Sequence, residues 1–208
     1  MKILLASNGK FLIEGGLDLF GIPKDKIRIG RITTASKGND NKDYIERHRK
    51  ECTDNGYFLE DIDIEGKTEE EIFKFFQDKN IVHIEGGNTF YLLREVKKTR
   101  FDEILKKLFE KGIGYVGTSA GAYIMCPNIK VSTLGPNPKP RYGLEDLTGL
   151  DYVPFCLKVH YTDEMEANVK EMMKNIEHPL RILRDGQGIL CEDGVCKFYG
   201  KGEEVILK

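Results

Sequence analysis

One segment decides the fold of this chain: residues 112–122, Gly112-Ile113-Gly114-Tyr115-Val116-Gly117-Thr118-Ser119-Ala120-Gly121-Ala122. Its first half is a short apolar run between glycines, which predicts a buried strand over residues 112–117. Ser119 follows, and the pattern from Ala120 to Cys126 is helical until Pro127 stops it. A buried strand that runs directly into a helix is typical of a βαβ unit.

The same alternation of apolar, β-branched runs with amphipathic stretches continues along the chain. It predicts an α/β fold, a three-layer sandwich with a mostly parallel central sheet and helices on both faces, in one domain over residues 1–208. Further strands are predicted at residues 2–6, 27–33, 58–64, 81–84 and 155–159. Helices are predicted at residues 11–20, 42–55, 101–111 and 164–176, and two more begin after the capping box at Thr68 and after Phe90. The tail, residues 181–207, predicts antiparallel strands at the margin of the sheet.

Length and charge exclude several classes of protein. A chain of 208 residues is long enough for one well-buried core, and its 32 basic and 34 acidic side chains give a net charge of −2. Because no positive excess is available to hold a phosphate backbone, we expect no nucleic-acid partner. The N-terminal apolar run is too short for a signal peptide or a membrane span, so we expect a cytoplasmic protein without a membrane partner. Composition leaves monomer and homodimer open.

The cysteines do not form a metal-binding pattern. They are an odd number without paired metal-type spacing, although Cys191 and Cys196 fall in neighbouring predicted strands. The five are Cys52, Cys126, Cys156, Cys191 and Cys196. We expect reduced, mostly buried thiols, and none of them occupies a strand-to-helix turn as Ser119 does.

Ser119 has the sequence context of a nucleophile. A serine hydroxyl must be exposed, aligned with a base and placed beside donors for an oxyanion. Gly117 and Gly121 leave room for a tight turn on either side of it, and the amide of Ala120 is placed to donate to the oxyanion. The alternative is a helix N-cap serine that only satisfies backbone donors.

A second glycine turn has the same form. Gly86 and Gly87 follow the predicted strand at residues 81–84 and precede a helix. Two such turns side by side make a crevice at the carboxyl edge of a parallel sheet. The amide of Gly87 is therefore the candidate for the second oxyanion donor, and a tight turn with Asn88 or Thr89 as helix cap is compatible with that role.

Four histidines are available as a general base. We expect His48 on the solvent face of a charged helix, His83 in the core and His178 in a loop. His160 ends the strand at residues 155–159 and should emerge at the carboxyl edge of the sheet. It is the predicted base.

The residue that orients His160 is open at this point. Glu145 or Asp146 is preferred, because both lie in the irregular segment 128–154 between the serine and the histidine. The other acidic candidates are Asp163, Glu164 and Asp185.

Three segments together resemble the dipeptidase E and cyanophycinase family of serine peptidases. They are Glu85-Gly86-Gly87-Asn88-Thr89-Phe90, Gly117-Thr118-Ser119-Ala120-Gly121-Ala122 and Val159-His160-Tyr161-Thr162. The resemblance extends along nearly the whole chain and implies a class I glutamine amidotransferase-like fold, with serine in place of cysteine. It implies Ser119 as nucleophile, His160 as base, and Gly87 with Ala120 as oxyanion donors.

The chain departs from that family in two places. The triad acid of dipeptidase E follows the nucleophile by about fifteen residues, a position near Leu134 here, where the chain has no carboxylate. The aspartyl-specific dipeptidases place an arginine after the catalytic histidine, and residues 163–168 contain none. A preference for an N-terminal aspartate therefore does not follow from the resemblance.

These observations predict a serine hydrolase, a peptidase or dipeptidase that cleaves short peptides through an acyl-enzyme on Ser119 without a metal or an organic cofactor. One alternative is an esterase of the α/β-hydrolase type, a fold that usually keeps its histidine near the C-terminus, whereas this chain has none after His178. Another alternative is a binding protein that keeps the amidotransferase-like fold but has no catalytic activity.

Overall fold

A seven-stranded sheet forms the centre of the molecule in a computed structural model, which describes residues 1–134 and 140–207. The strands of the described ranges are β1 Lys2–Ala6, β2 Arg28–Ile32, β3 Phe58–Ile62, β4 Ile81–Ile84, β5 Gly114–Thr118, β6 Cys156–Lys158, β7 Leu180–Ile182, β8 Gln187–Glu192 and β9 Val195–Gly200. The order in the central sheet is β3-β2-β4-β5-β1-β8-β9. The five strands from β3 to β1 are parallel, and β8 and β9 add to that edge in antiparallel fashion. The predicted mostly parallel sheet with antiparallel marginal strands is confirmed.

Helices cover both faces of the sheet, as the sequence predicts. Those of the described ranges are α1 Asp43–Asp54, α2 Glu69–Phe75, α3 Thr89–Lys98, α4 Phe101–Glu110, α5 Ala120–Tyr123 and α6 Glu166–Met173. The capping box at Thr68 is formed, with reciprocal hydrogen bonds to Glu71. The single helix predicted over residues 11–20 is wrong in detail, because Gly15 adopts a φ of 120° and divides it into the short helical segments Leu12–Gly16 and Leu17–Phe20.

Two apolar cores follow from the alternation of side chains along the strands. In β1, Ile3 and Leu5 enter the core beneath α2, α3 and α4, whereas Leu4 and Ala6 enter the core on the other face. The second core includes side chains of the segments Leu12–Gly16 and Leu17–Phe20 and of α1. The chain is therefore layered as helix, sheet and helix, the predicted sandwich.

A separate pair of short strands lies outside the central sheet. The sequence places residues 181–182 in the antiparallel tail, but β7 pairs in parallel with β6, with Leu157 opposite Arg181. Two backbone hydrogen bonds beyond the strands, from Leu183 N to Lys158 O and from Tyr161 N to Leu183 O, continue this pairing. The carboxyl ends of β6 and β7 consequently lie side by side.

The prediction of reduced thiols is wrong for one pair of cysteines. Cys191 and Cys196 are directly opposite in the β8–β9 register, with their Cα atoms 4.0 Å apart, and they form a disulfide. This antiparallel pairing brings two thiols together that the sequence separates by five positions. The remaining three, Cys52, Cys126 and Cys156, are free and buried as predicted.

Two further findings concern the described residues only. None of their helices combines the length and the apolar character that crossing a bilayer requires. The centre of the predicted irregular segment, residues 135–139, lies outside the described ranges.

His83 is a core residue, as predicted, and it is buried beside the ends of β4 and β5. Its Nε2 lies 3.1 Å from Thr118 Oγ1, while its Nδ1 has no partner among the described residues. Burial lowers the pKa of His83 to about 4. The folded protein therefore holds this imidazole neutral at a pH where the unfolded chain protonates it.

We predict that this histidine makes the protein less stable in mild acid. Because the unfolded pKa is near 6.5 and the folded pKa near 4, the unfolded state binds the extra proton as the pH falls through this range. Between about pH 7.5 and pH 5 the free energy of unfolding should fall by about 2 kcal/mol through His83 alone. Urea unfolding of the wild type and of His83→Gln at both pH values measures the effect.

The matched control is His178→Gln, which removes a histidine from a loop after α6. This control should keep the pH dependence of the wild type. If the wild type and His83→Gln lose the same free energy of unfolding, the assignment to His83 is wrong.

Candidate active site

Three neighbouring parallel strands end at one place on the sheet edge. Because β4, β5 and β1 are adjacent and parallel, their carboxyl ends bring together Glu85, Ser119 and Ser7. Ser119 N donates to the carbonyl of Ala6 at 3.1 Å, which ties the end of β5 to β1. The sheet thus places both predicted glycine turns at one edge.

Ser119 occupies the turn between β5 and α5 with a strained backbone. Its φ of 48° and ψ of −103° lie outside the regions that L-residues favour, a conformation that costs about 1–3 kcal/mol. Its side chain makes no capping hydrogen bond to the helix, so the alternative of a simple N-cap serine is not observed. The hydroxyl instead faces His160.

The glycines that flank Ser119 are required by close backbone contacts. A Cβ atom on Gly121 would lie 2.2 Å from the carbonyl oxygen of Ile84, and one on Gly117 would lie 2.4 Å from the carbonyl oxygen of Gly121. Neither contact can be relieved by a side-chain rotation, because both partners are backbone atoms. The Gly-x-Ser-x-Gly spacing is therefore a packing requirement of this turn.

Ser119, His160 and Asp185 form a continuous hydrogen-bonded chain. His160 Nε2 lies 3.0 Å from Ser119 Oγ, and His160 Nδ1 lies 2.6 Å from Asp185 Oδ1. The hydrogen bond with His160 lowers the pKa of Asp185, and the Ser7 hydroxyl lowers it further. A carboxylate, an imidazole and a hydroxyl in this order are the arrangement that activates a serine.

The preference for Glu145 or Asp146 as the third residue is not supported by the geometry. Asp146 accepts from Lys97 Nζ at 2.6 Å and from the amide of Thr148, and Glu145 is exposed. Asp185, which the sequence offered only as a further candidate, contacts His160 because β6 and β7 pair in parallel and end side by side.

The other two acidic candidates also lie away from the imidazole. Asp163 accepts from Arg184 at 2.5 Å, and Glu164 is exposed, with its pKa lowered by hydrogen bonds from Thr162 and from its own amide. Both lie at the start of the helical stretch that leads into α6.

Ser7 is a site residue that sequence reasoning missed. Its buried hydroxyl donates to Asp185 Oδ1 at 2.7 Å and accepts from the amide of His160 at 3.0 Å. Beside it, Asn8 Oδ1 accepts from the amide of Gly186 at 3.3 Å. The only signal in the sequence was a polar pair directly after β1, and it indicated no more than a turn.

The second glycine turn lies against the first. A Cβ atom on Gly86 would be 3.2 Å from Ser119 Cβ, and Gly87 has a φ of 152° with its Cα packed against the carbonyl of Ala35. Asn88 caps α3 by accepting from the amides of Phe90 and Tyr91, which is the compatible role expected for it.

A buried charge cluster lies under this turn. Arg31, fully buried, donates to both oxygens of Asp61 at 2.8 Å and to Glu85 Oε2 at 3.1 Å. Burial alone would raise the pKa of Glu85, but the hydrogen bond from His48 and the charge of Arg31 outweigh it and hold that pKa well below its usual range. Glu85 is thus an ionised carboxylate in the interior.

The prediction of a solvent-facing His48 is wrong. Its Nδ1 lies 3.2 Å from both carboxylate oxygens of Glu85, and its side chain is only 17% exposed. The face of α1 that carries His48 points at the sheet edge. Its imidazole lies so close to Gly9 that a Cβ atom on that glycine would be only 2.9 Å away. The polar sequence of α1 concealed this buried face.

A cleft of about 740 Å³ opens above Ser119. Gly87, Ser119, His160 and Asp185 all line it. Its walls also carry side chains of both charge signs, namely Lys10, Glu14, Arg47 and Glu51. Within the described part of the chain, no group of three or more His, Cys, Asp or Glu side chains could hold a metal ion.

Comparison with known proteins matches most of the chain to one family. The model of peptidase family S51 matches residues 19–198. An uncharacterized peptidase of Pasteurella multocida is 32% identical over 162 residues, which cover 78% of each chain. Peptidase E of Streptomyces coelicolor is 27% identical and covers 92% of this chain and 81% of its own.

Solved structures share the fold. The crystal structure of a Listeria monocytogenes protein assigned as peptidase E superposes with a TM-score of 0.84 at 23% identity, and covers 97% of this chain and 98% of its own. A peptidase from an acI-B1 Actinobacterium gives a TM-score of 0.67 at 16% identity over 100% of this chain and 90% of its own. The family match and the sequence relatives together identify the chain: it belongs to peptidase family S51 and is a serine peptidase.

Proposed function

We propose that Ser119, His160 and Asp185 are the catalytic triad of this peptidase. The observation that carries the proposal is the unbroken sequence of contacts from Asp185 Oδ1 to His160 Nδ1 at 2.6 Å and from His160 Nε2 to Ser119 Oγ at 3.0 Å. The ionised Asp185 keeps the proton of the neutral imidazole on Nδ1, which leaves Nε2 free to accept the serine proton.

The reaction begins with attack of Ser119 Oγ on the scissile carbonyl carbon. His160 Nε2 takes the hydroxyl proton as the new C–O bond forms, and Asp185 stabilises the imidazolium. The carbonyl oxygen becomes an oxyanion, for which we propose the amides of Gly87 and Ala120 as donors. These two amides come from the two adjacent turns that the sheet edge brings together.

The tetrahedral intermediate then collapses. His160 returns the proton to the leaving amine, the C–N bond breaks, and the acyl group stays on Ser119 as an ester. A water molecule, deprotonated by the same imidazole, attacks this ester and releases the acid and the free serine hydroxyl. Every proton in the cycle passes through His160 Nε2.

We propose short peptides as substrates. The cleft of about 740 Å³ fits a ligand of a few residues, and its walls offer both charge signs to the charged ends of a short peptide. The near balance of charge on the whole chain leaves no positive excess to hold a nucleic acid or an anionic membrane surface, so we propose neither as a partner. The contact of Asp185 with His160 supports Asp185 as the triad acid and weighs against the alternative of a catalytically silent binding protein.

Removal of the nucleophile should abolish turnover. We expect a fluorophosphonate probe to label Ser119, and Ser119→Ala to lose labelling and to lower kcat for dipeptide and p-nitrophenyl ester substrates on the order of 10⁴-fold or more. Ser132→Ala, which removes a hydroxyl bonded to the carbonyl of Ile129, is the matched control and should keep wild-type activity. Substantial hydrolysis by Ser119→Ala would refute the mechanism.

Asp185→Asn should separate the candidates for the third residue. Because asparagine cannot hold the imidazole in its working tautomer, we expect kcat to fall on the order of 10⁴-fold. Asp146→Asn, a change of the same chemistry at the residue bonded to Lys97, should leave kcat unchanged. Steady-state kinetics of the two variants decide between Asp185 and Asp146. A larger loss of kcat in Asp146→Asn than in Asp185→Asn would make Asp146 the triad acid.

Ser7→Ala should weaken the triad without removing any of its members. The change deletes the 2.7 Å hydrogen bond to Asp185 and leaves the amide of His160 without its buried acceptor. A loss of about 1 kcal/mol of positioning corresponds to a decrease in kcat of about fivefold. Stopped-flow acylation of Ser119 measures it, and an acylation rate equal to that of Ser132→Ala would contradict this role.

A further inference from the structure

The hydroxyl of Tyr44 reaches the second glycine turn from the wall of the cleft. Tyr44 lies in the first turn of α1, is partly buried, and donates to the carbonyl oxygen of Gly86 at 2.9 Å. Its hydroxyl also receives a longer contact from Asn39 Nδ2 at 3.4 Å. A side chain of one helix thus holds a backbone carbonyl of the turn proposed to bind the oxyanion.

That carbonyl belongs to the same peptide group as the Gly87 amide. A trans peptide is planar, and its C=O and N–H bonds point in opposite directions. A hydrogen bond that fixes the direction of the Gly86 carbonyl therefore fixes the direction of the Gly87 N–H as well. Tyr44 acts on one edge of the peptide, and the proposed oxyanion donor is on the other.

Glu85 holds the same turn at the amide of Gly86, one peptide group before the one that Tyr44 contacts. Its Oε1 accepts from the amide of Gly86 at 3.1 Å and from Thr118 Oγ1 at 3.0 Å. Thr118 immediately precedes Ser119, so one carboxylate oxygen connects the turn after β4 with the strand end that carries the nucleophile. Arg31 and His48 in turn hold Glu85 in place.

Such restraints are needed because the turn has no side chains of its own. A Cβ on Gly86 would lie tightly against Ser119 Cβ, at 3.2 Å, and Gly87 must be glycine because a Cβ would lie 2.3 Å from the carbonyl oxygen of Ala35. A pair of glycines can rotate their shared peptide more freely than other residues. An oxyanion donor, however, stabilises the transition state only when its direction is fixed beforehand.

We propose that Tyr44 is a positioning residue that, together with Glu85, fixes the plane of the Gly86–Gly87 peptide and so aims the Gly87 amide at the oxyanion. The proposal rests on the proposed function, in which this amide is one of two oxyanion donors. Tyr44 lies on the far side of the peptide from that amide and does not contact the reacting atoms in this role.

Tyr44→Phe removes the hydroxyl and keeps the ring that packs on the cleft wall. We expect kcat for p-nitrophenyl acetate to fall about tenfold with little change in KM, because the loosened amide costs transition-state stabilisation rather than substrate binding. Tyr142→Phe is the matched control: its hydroxyl bonds the carbonyl of Gly38 at 3.4 Å, and we expect wild-type kinetics.

A sulfur substrate separates positioning from a general loss of structure. In the thionoester analogue of p-nitrophenyl acetate, sulfur replaces the carbonyl oxygen and accepts hydrogen bonds poorly, so an oxyanion donor contributes less to its hydrolysis. Tyr44→Phe should therefore slow the oxygen ester and leave the thionoester nearly unaffected. Damage to the fold would slow both substrates by the same factor.

The outcomes are distinct. Equal kcat values for Tyr44→Phe and Tyr142→Phe, or equal losses on both esters, would overturn the role of Tyr44 while leaving the triad intact. Hydrolysis by Ser119→Ala at the rate of the wild type would overturn the proposed function and this inference with it. A reduced ratio of oxygen-ester to thionoester rates, in a variant that fluorophosphonate still labels fully, supports the proposal.

Discussion

The close contact between the end of β4 and the start of α5 is the constraint on which the rest of the site depends. Gly121 packs its Cα against the carbonyl of Ile84, and this contact leaves no space for a side chain. The start of α5 therefore lies directly against the neighbouring strand, and Ser119, at the turn that leads into it, has a φ of 48°. The energetic cost is acceptable because both apolar cores hold the strands in place on either side.

Buried charge stabilises the same edge from below. Glu85 lies in the interior as an ionised carboxylate, and it persists there because Arg31, His48, Thr118 and the amide of Gly86 together satisfy its oxygens. The cluster connects β2, α1, β4 and β5. A fully satisfied polar network of this kind restricts the geometry of the turns above it more tightly than apolar packing would.

His160 and Asp185 are positioned at the site by a different pair of strands. His160 and Asp185 come from the small β6–β7 pair, and Ser7 at the end of β1 connects that pair to the central sheet through two hydrogen bonds. His160 itself has a positive φ of 53°, so its backbone also turns sharply to present the side chain. The proposed triad thus spans the central sheet and the small β6–β7 pair and depends on Ser7 for their alignment.

The sequence by itself determined the α/β class, the positions of the parallel strands along the chain, both glycine turns and the pairing of Ser119 with His160, because periodicity and turn chemistry are local properties. It did not single out Asp185 among the acidic candidates, and it did not reveal Ser7, the buried face of α1 around His48, or the Cys191–Cys196 disulfide. Each of these depends on which segments lie beside one another: β6 beside β7, Ser7 beside both His160 and Asp185, α1 over the sheet edge, and β8 opposite β9. Contacts between residues distant in the chain leave no local pattern, so only the tertiary structure decided which carboxylate meets the histidine.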